Sequence, residues 1–382
     1  LCSALPAALG IAGQTQAADD GWVATHTQAF LPAPAAAVRA APGERATALL
    51  EASRSAPELP ATERKHVVVS LSTPSKPTDA QLNQVIDYLR RNGFDHIQPT
   101  PSHRLVQADG SAAAIKAAFR TSLRGFRWQG RQVFANDAPA QVPAALGGIV
   151  GAVLGLQNVS VGHTFIEQAP PARLQAQARA NAVIPTVKKP HQLSDFVTLY
   201  NADHMSLRGT YPVWLVLSGD LTEAVANLKS YLAAHPELPA LKLNVSRTDQ
   251  GDYRADPQNT LAATAILESL VTLAGDIGTL NIYDASDFSE PNLSVAIDYA
   301  HASATSVEAA LSNYLLVPAG IPEDDAKSTG FLDSFDYLYL DTFHTDPPIY
   351  VVAAGDSGAY AQAQGIIQDA QGHWPVSYTH LT

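Results

Sequence analysis

The chain has almost no cysteine and no long apolar run. Cys2 is its only cysteine in 382 residues, so no intramolecular disulfide can form, and the fold must be held by core packing or by a bound ion. No run reaches the roughly 18 apolar residues that a membrane-spanning helix needs.

Basic residues are also few, 24 Lys and Arg against 36 Asp and Glu, giving a net charge of −12. Nucleic-acid binding, which needs a basic face, is therefore disfavoured.

The composition is that of a folded protein. Hydrophobic residues make up 46% of the chain, enough to build the cores of two or three domains at this length. The acidic balance is compatible with a protein that works in acid, where many carboxylates are already neutral.

Residues 1–18 are small and apolar, and they end near a short stretch of small residues. This pattern predicts the remnant of a signal peptide and hence a secreted or extracellular protein, with the periplasm as an alternative. A buried helix is the competing interpretation, but Pro6, Gly10 and Gly13 would interrupt it.

Strand and helix patterns alternate in the first half of the chain. Thr78 and Gln81 form a capping-box pattern before a helix. The other predicted elements are strands at Lys65–Leu71, Leu105–Ala108 and Gln132–Ala135 and a helix around Ile115 and Phe119. This order predicts an α/β fold, here a small α/β sandwich.

The second half reads as strand and helix units of a mostly parallel sheet. An apolar strand at Val213–Asp220 precedes a helical pattern at Glu223–Ala234, and further strands are predicted at Leu280–Tyr283 and Ile349–Ala354. Between the two halves, residues 166–190 are rich in Pro, Ala, Gln and Arg, which is typical of an exposed linker.

Gly355–Gly358 follows the last apolar strand and places Asp356 and Ser357 in a glycine-hinged turn. This pattern indicates hydrolytic chemistry. The same four residues surround the nucleophile of chymotrypsin-like proteases, but Ala359 and Tyr360 stand where that family has Gly and Pro.

Three segments together indicate a different peptidase family. They are Phe134–Leu156, which resembles the end of a pro-kumamolisin activation domain, Gly110–Leu123, which resembles its last helix, and Leu193–Ala202, which resembles the entry to a mature sedolisin. The chain thus resembles the sedolisins, or serine-carboxyl peptidases, over about residues 65–360.

The resemblance implies how the chain is divided. It implies an activation propeptide at 19–165, an activation linker at 166–190 and a partial, subtilisin-like α/β peptidase domain with a mostly parallel sheet at 191–372. Residues 373–382 look foreign to the family, like a tail that is not part of its fold.

The resemblance also assigns site residues. Asp356 would support the oxyanion, and Ser357 would not be the nucleophile. The family's serine lies in a Gly-Thr-Ser turn, and no such tripeptide follows Ala202 in this sequence. No nucleophile is therefore assigned.

In this family a Glu and an Asp four residues apart on one helix activate the serine. Alignment puts Thr260 and Thr264 at these positions, and a shift by two puts Ala262 and Ile266 there. A threonine hydroxyl cannot act as the general base, so the pair is expected to be non-functional.

Two alternatives for the acids are less favoured. Asp252 and Asp256 have the right spacing, but Gly251 and Pro257 predict a loop there. Glu268 is a single acid on the helix, which favours a solvated position.

No metal site is predicted from spacing in the second half. His204, His235, His301 and His344 lack the spacing of a helical zinc pair. The acids of this part have no EF-hand pattern and are interpreted as a solvated face; they are Glu323–Asp325, Asp333, Asp336, Asp341 and Asp346. The family implies calcium, but its C-terminal site is absent from these residues.

Three hypotheses follow for function. The first is an incomplete precursor of a secreted, acid-acting endopeptidase of the sedolisin type, with peptide or protein substrates, no membrane-embedded mature form, and its own propeptide as an intramolecular inhibitor. The second is a degenerate member that binds peptides without cutting them. The third is an α/β protein whose resemblance is confined to the propeptide.

Overall fold

The computed structural model describes residues 21–31, 49, 51–53, 55–164, 195, 198–199, 211–274, 277–306, 314–320, 323–334 and 348–352. Residues 1–18, 166–190 and 373–382, assigned above to the signal-peptide remnant, the linker and the foreign tail, lie outside these ranges.

Within the described ranges between residues 21 and 164, the first unit contains short strands, α-helices and a 3-10 turn at Ala144–Leu146. The elements are β1 (Trp22–Ala24), β2 (Arg64–Leu71), α1 (Asp79–Arg91), β3 (Asp95–Pro99), β4 (Leu105–Ser111), α2 (Ala112–Phe119), β5 (Leu123–Trp128), β6 (Arg131–Asn136), β7 (Gln141–Pro143), β8 (Val150–Leu154) and β9 (His163–Thr164). The strands and helices predicted for this half are confirmed.

An antiparallel sheet in the order β3-β4-β2-β8 is the centre of this unit. Side chains of successive strand residues point to opposite faces, so Val67 and Val69 lie on one face and Val68 on the other. The first face packs against buried apolar residues of α1 and α2, namely Leu82, Val85, Leu89, Ile115 and Phe119. Helix α1 begins with the predicted capping box of Thr78 and Gln81.

The second unit contains a five-stranded parallel sheet with helices. Its elements are β10 (Tyr211–Ser218), α3 (Thr222–Ala234), β11 (Lys242–Arg247), α4 (Pro257–Leu273), β12 (Ile277–Ala285), α5 (Glu290–Ser306), β13 (Tyr314–Val317), β14 (Ala319–Gly320), α6 (Glu323–Thr329) and β15 (Ile349–Val352). The order is β11-β12-β10-β13-β15, and all four pairings are parallel. The predicted mixed α/β class and parallel sheet are confirmed.

Helices cover both faces of the parallel sheet. Leu215 and Leu217 of β10 pack against α3 and α4, whereas Trp214 and Val216 point to the other face and pack against α5. Trp214 is fully buried, and its Nε1 donates a hydrogen bond to Ser303 Oγ at 3.0 Å.

Helix α5 also packs against the first unit. The face of the antiparallel sheet that is not covered by α1 and α2 contributes Val68, Leu105, Ala152 and Leu154 to the cluster around Trp214. We call this shared group the interface cluster. No helix among the described ranges is long and apolar enough to span a membrane.

We expect Thr78→Ala to lower the free energy of unfolding by about 1 kcal/mol, because the Thr78 hydroxyl accepts a hydrogen bond from the Gln81 backbone N–H. Urea denaturation would measure the change. Thr78→Ser keeps the hydroxyl and is the matched control, so equal losses in both variants would contradict the capping role.

Candidate functional site

The strands of the parallel sheet end at one edge, where ligands bind in open α/β sheets. Acidic residues collect there: Asp220 follows β10, Asp249 follows β11, and Asp284 is the next-to-last residue of β12. Asp252 and Asp256 occupy the loop between β11 and α4. We call this group the acidic edge.

Asp249 connects two of the loops at the acidic edge. Its Oδ1 accepts a hydrogen bond from the Gly251 N–H at 2.7 Å, and its Oδ2 accepts one from the Ser286 N–H at 2.8 Å. A Cβ added at Gly251 would lie 2.1 Å from Ser286 Oγ, so a residue without a side chain is required for this close approach. The carboxylate and the glycine together hold the two loops in one arrangement.

Asp284 is the buried acid of the edge. Only 2% of it is exposed, and its Oδ1 has no hydrogen-bond partner in the described part of the chain. Burial raises the pKa of its carboxyl to about 8; Arg247 opposes this rise, and Asp249 and Asp220 add to it. Asp284 is thus mainly protonated at neutral pH and can exchange a proton near that pH.

Tyr253 packs beside this acid. Its hydroxyl donates a hydrogen bond to the Asp284 backbone oxygen at 2.9 Å, and the Arg247 guanidinium lies 4.3 Å from the centre of its ring. Burial, with the negative charge of Asp249, raises the pKa of Tyr253 to about 12. Tyr253 therefore remains a neutral hydrogen-bond donor.

Asp252 and Asp256 lie in the loop that the sequence predicts. Asp256 is the N-cap of α4, because its Oδ1 accepts from the N–H groups of Gln258 at 2.7 Å and Asn259 at 3.3 Å. Asp252 is exposed and pairs with Arg254 Nε at 2.6 Å.

The backbone ties this loop to the end of β10. Asp220 N–H donates to the Arg254 oxygen at 3.0 Å. Gly219 has a φ of +88°, and a Cβ there would lie 3.2 Å from the same oxygen. Asp252 and Asp256 of this loop therefore lie at the acidic edge.

Thr260 and Thr264 lie on α4 itself. Thr260 is in the first turn, where its N–H donates to the Asp256 oxygen at 2.8 Å. The Thr264 hydroxyl accepts a hydrogen bond from Asn227 Nδ2 of α3 at 3.3 Å, so this side chain faces a neighbouring helix. Their assignment to the family's acid positions stays a prediction. Glu268, further along α4, is partly exposed.

Asp356 and Ser357 lie outside the described residues, so their roles also stay predictions. The strand before them, β15, is described to Val352 and runs parallel to β13. Its carboxyl end therefore points to the same edge as the ends of β10 and β12.

The two histidines described in the second half, His235 and His301, do not lie at the acidic edge. His235 is partly exposed and lies 2.8 Å from Glu237 Oε1, and His301 is buried with its Nδ1 against the Tyr350 hydroxyl. His204 and His344 lie outside the described ranges.

Of the remaining acids predicted to form a solvated face, the structure describes Asp333 and the backbone of Glu323–Asp325. Asp333 pairs with His26 of the first unit at 3.1 Å, and Glu323–Asp325 belongs to α6. Asp336, Asp341 and Asp346 are outside the described part of the chain.

Sequence reasoning did not single out Asp249 or Asp284. Asp284 could have been found from its position directly after the predicted strand Leu280–Tyr283, because site residues collect at the ends of parallel strands. For Asp249 no periodic signal exists, because its contacts are with loop backbone.

Comparison with known proteins gives consistent matches. Residues 70–159 match the pro-kumamolisin activation domain. The chain is 27% identical to xanthomonalisin of Xanthomonas sp. (strain T-22) over 98% of this chain and 52% of that protein. It is 31% identical to sedolisin of Pseudomonas sp. (strain 101) over 74% of this chain and 47% of that protein. The chain therefore spans about half the length of the curated relatives it matches.

Among solved structures, a Pseudomonas sedolisin (serine-carboxyl proteinase) complexed with two molecules of pseudo-iodotyrostatin aligns with a TM-score of 0.37 and 24% identity. The alignment covers 45% of this chain and 46% of that chain.

We expect Asp284 to make the protein less stable as the pH rises from about 4 to about 8. Its pKa is about 8 in the folded state and about 3.9 when unfolded, so in this window the folded state holds more protons and the free energy of unfolding falls with pH. Asp284→Asn should remove this dependence on pH. The free energy of unfolding of the variant, relative to that of the unchanged chain, should be higher at pH 7.5 than at pH 4.5 by more than about 1 kcal/mol.

Urea denaturation at the two pH values would measure this. Asp287→Asn is the control, since Asp287 lies three residues later and is exposed. An unchanged slope in Asp284→Asn would show that this acid is not the source.

Proposed function

Because the chain belongs to the sedolisin family of serine-carboxyl peptidases and carries a pro-kumamolisin activation domain, we propose that it is part of a secreted, acid-acting endopeptidase precursor. On this proposal, the first unit is an intramolecular inhibitor, and the substrates of the whole protein are peptides or proteins. The observation that carries the proposal is the extensive contact of the first unit with the α5 side of the parallel sheet.

Polar contacts add to the apolar ones where the two units meet. The Ser102 N–H donates to Asp298 Oδ1 at 3.3 Å, and the Ser102 hydroxyl donates to Oδ2. The Gln28 N–H donates to the Ser328 oxygen at 2.7 Å, and the Thr27 hydroxyl donates to the Thr329 oxygen at 2.9 Å. Strand β9 of the first unit also pairs with β14. A segment held at this many points is suited to the role of an inhibitor.

Asp298 is the fully buried carboxylate of this interface. Burial raises its pKa to about 6, although hydrogen bonds from Ser102 favour the charged form. If separation of the units exposed Asp298, its pKa would fall toward about 3.9. The docked state would then bind more protons between about pH 4 and pH 6, so mild acid would strengthen this contact.

Acid-triggered release therefore has to arise elsewhere in the interface. The pair of His26 and Asp333, whose side chains lie 3.1 Å apart, is another polar contact between the two units. Both side chains are partly exposed, and exposed pairs contribute at most about 1 kcal/mol. On our proposal, several such groups must be neutralised before the first unit leaves.

For the catalytic acids, two assignments are open. In the first, Asp252 and Asp256 supply the carboxylate pair, which is favoured by their position at the acidic edge. In the second, Thr260 and Thr264 have replaced the acids, and the protein is a degenerate member that binds peptides without cleaving them. Asp356 would support the oxyanion in the first case, and calcium would be a ligand of the whole protein.

We expect these 382 residues by themselves to cleave no peptide between about pH 3 and pH 5, because no Gly-Thr-Ser tripeptide follows Ala202. A fluorogenic peptide mixture would measure this, with an active acid peptidase in the same buffer as the positive control. Acid-dependent cleavage that is abolished by Asp356→Ala would contradict the expectation.

Ser102→Ala is expected to destabilise the docked protein by about 1–3 kcal/mol at pH 7.5, since it leaves the buried Asp298 carboxylate with one donor fewer. The loss should be smaller at pH 5, where Asp298 is largely neutral. Urea denaturation at both pH values would test this. Ser102→Thr keeps the hydroxyl as the control, and an equal loss at both pH values would show that Asp298 ionisation is not involved.

A further inference from the structure

Three strands of the antiparallel sheet place polar side chains side by side. Asp109 of β4 is the direct partner of His66 in β2 and of Asp95 in β3. The three residues therefore form one rung across the sheet. They lie in the first unit, far in sequence from every residue assigned to catalysis above.

An irregularity in β3 adds a fourth side chain to this rung. Between Asp95 and Gln98 the register shifts, so that extra residues of β3 oppose β4. His96 lies in this shift with a φ of +47°. Neighbouring residues of a regular strand point to opposite faces, whereas a bulge redirects a side chain. His96 Nδ1 consequently lies 2.9 Å from Asp109 Oδ2 and 3.3 Å from Asp95 Oδ1.

We propose that Asp95, His96 and Asp109 form a binding site for a divalent transition-metal ion of the Zn²⁺ class. One ligand atom from each residue lies within 4.8 Å of the others. Ligands at about 2.0–2.2 Å from a tetrahedral Zn²⁺ are separated by about 3.4 Å. The observed separations of 2.9 and 3.3 Å are close to this value, so small side-chain rotations would admit the ion.

The donor set selects the class of ion. One imidazole nitrogen with two carboxylates suits Zn²⁺ or Co²⁺, whereas Ca²⁺ takes six to eight oxygen ligands. Three protein ligands leave the fourth position to water. Both acids and His96 are accessible, with His96 73% exposed and Asp109 27% exposed, so an ion can enter from solvent.

His66 orients the central carboxylate. Its Nδ1 lies 2.8 Å from Asp109 Oδ1, which leaves the other oxygen, Oδ2, turned toward His96. A hydrogen bond of this kind from outside the ligand set is typical of carboxylates that bind metals. His66 is a positioning residue for the site.

Arg64 competes with the ion. Its guanidinium contacts the Asp95 carboxylate and also donates to the Asp109 backbone oxygen at 3.3 Å. In the metal-free protein this positive charge balances the two acids. An ion would have to share Asp95 with Arg64 or displace the guanidinium, which makes Arg64 a residue whose removal should tighten binding.

The test is titration of the full chain with Zn²⁺ at pH 7.5 by calorimetry, and with Co²⁺ followed by its visible absorption. We expect one equivalent to bind at this site. His96→Gly, which keeps the backbone free to adopt a positive φ, should weaken that binding at least about 10-fold, and so should Asp109→Asn. Arg64→Met should strengthen it several-fold.

His103→Gly is the matched control. His103 also has a positive φ, 64°, but it is paired with the single carboxylate of Asp79 at 3.8 Å. This variant should bind as the unchanged chain does. Circular dichroism would check that each variant is folded. Absence of binding in the unchanged chain, or Co²⁺ binding and spectra that are the same with and without His96, would overturn the proposal.

Discussion

The burial of one sheet face against α5 is the constraint on which the two-unit structure depends. The antiparallel sheet of the first unit is apolar on both faces, and its own helices cover only the face of Val67 and Val69. Val68 and Leu154 on the other face need a partner, which the Trp214 side of the parallel sheet provides through α5. Exposing such a face would cost roughly 25 cal/mol for each Å² of apolar surface. The two units therefore stabilise each other.

The parallel arrangement of the second sheet has a different consequence, which is the crowding of acids at one edge. Each strand ends there, so Asp220, Asp249 and Asp284 come together although they are distant in sequence. Asp249 is satisfied by two backbone N–H groups, whereas Asp284 is buried with an unused oxygen. Burial and like charges both favour the protonated form of Asp284. The edge thus contains one acid with a strongly raised pKa, as many catalytic sites do.

The sequence predicted the elements that depend on local patterns. The strand at Lys65–Leu71 and the capping box of Thr78 follow from residues close in the chain, and both are confirmed. The interface cluster was not predicted, because an apolar strand residue such as Val68 does not indicate what will cover it. Asp298 was missed for the same reason: only its partner Ser102, 196 residues away, shows that a buried acid is satisfied there. The rung at Asp109 depends on a register shift, which periodicity cannot reveal.

Asp284 and Asp298 both contribute to the way in which the folded chain responds to acid. Burial raises both pKa values, so each group binds its proton more tightly in the folded, docked state than in an exposed one. As the pH falls from about 8 toward about 4, both groups therefore favour the compact state. If the chain is activated by acid as proposed, Asp298 opposes separation of the two units between about pH 6 and pH 4. Separation would then come from other groups, those whose carboxylate form is favoured in the docked state, since their protonation opposes docking.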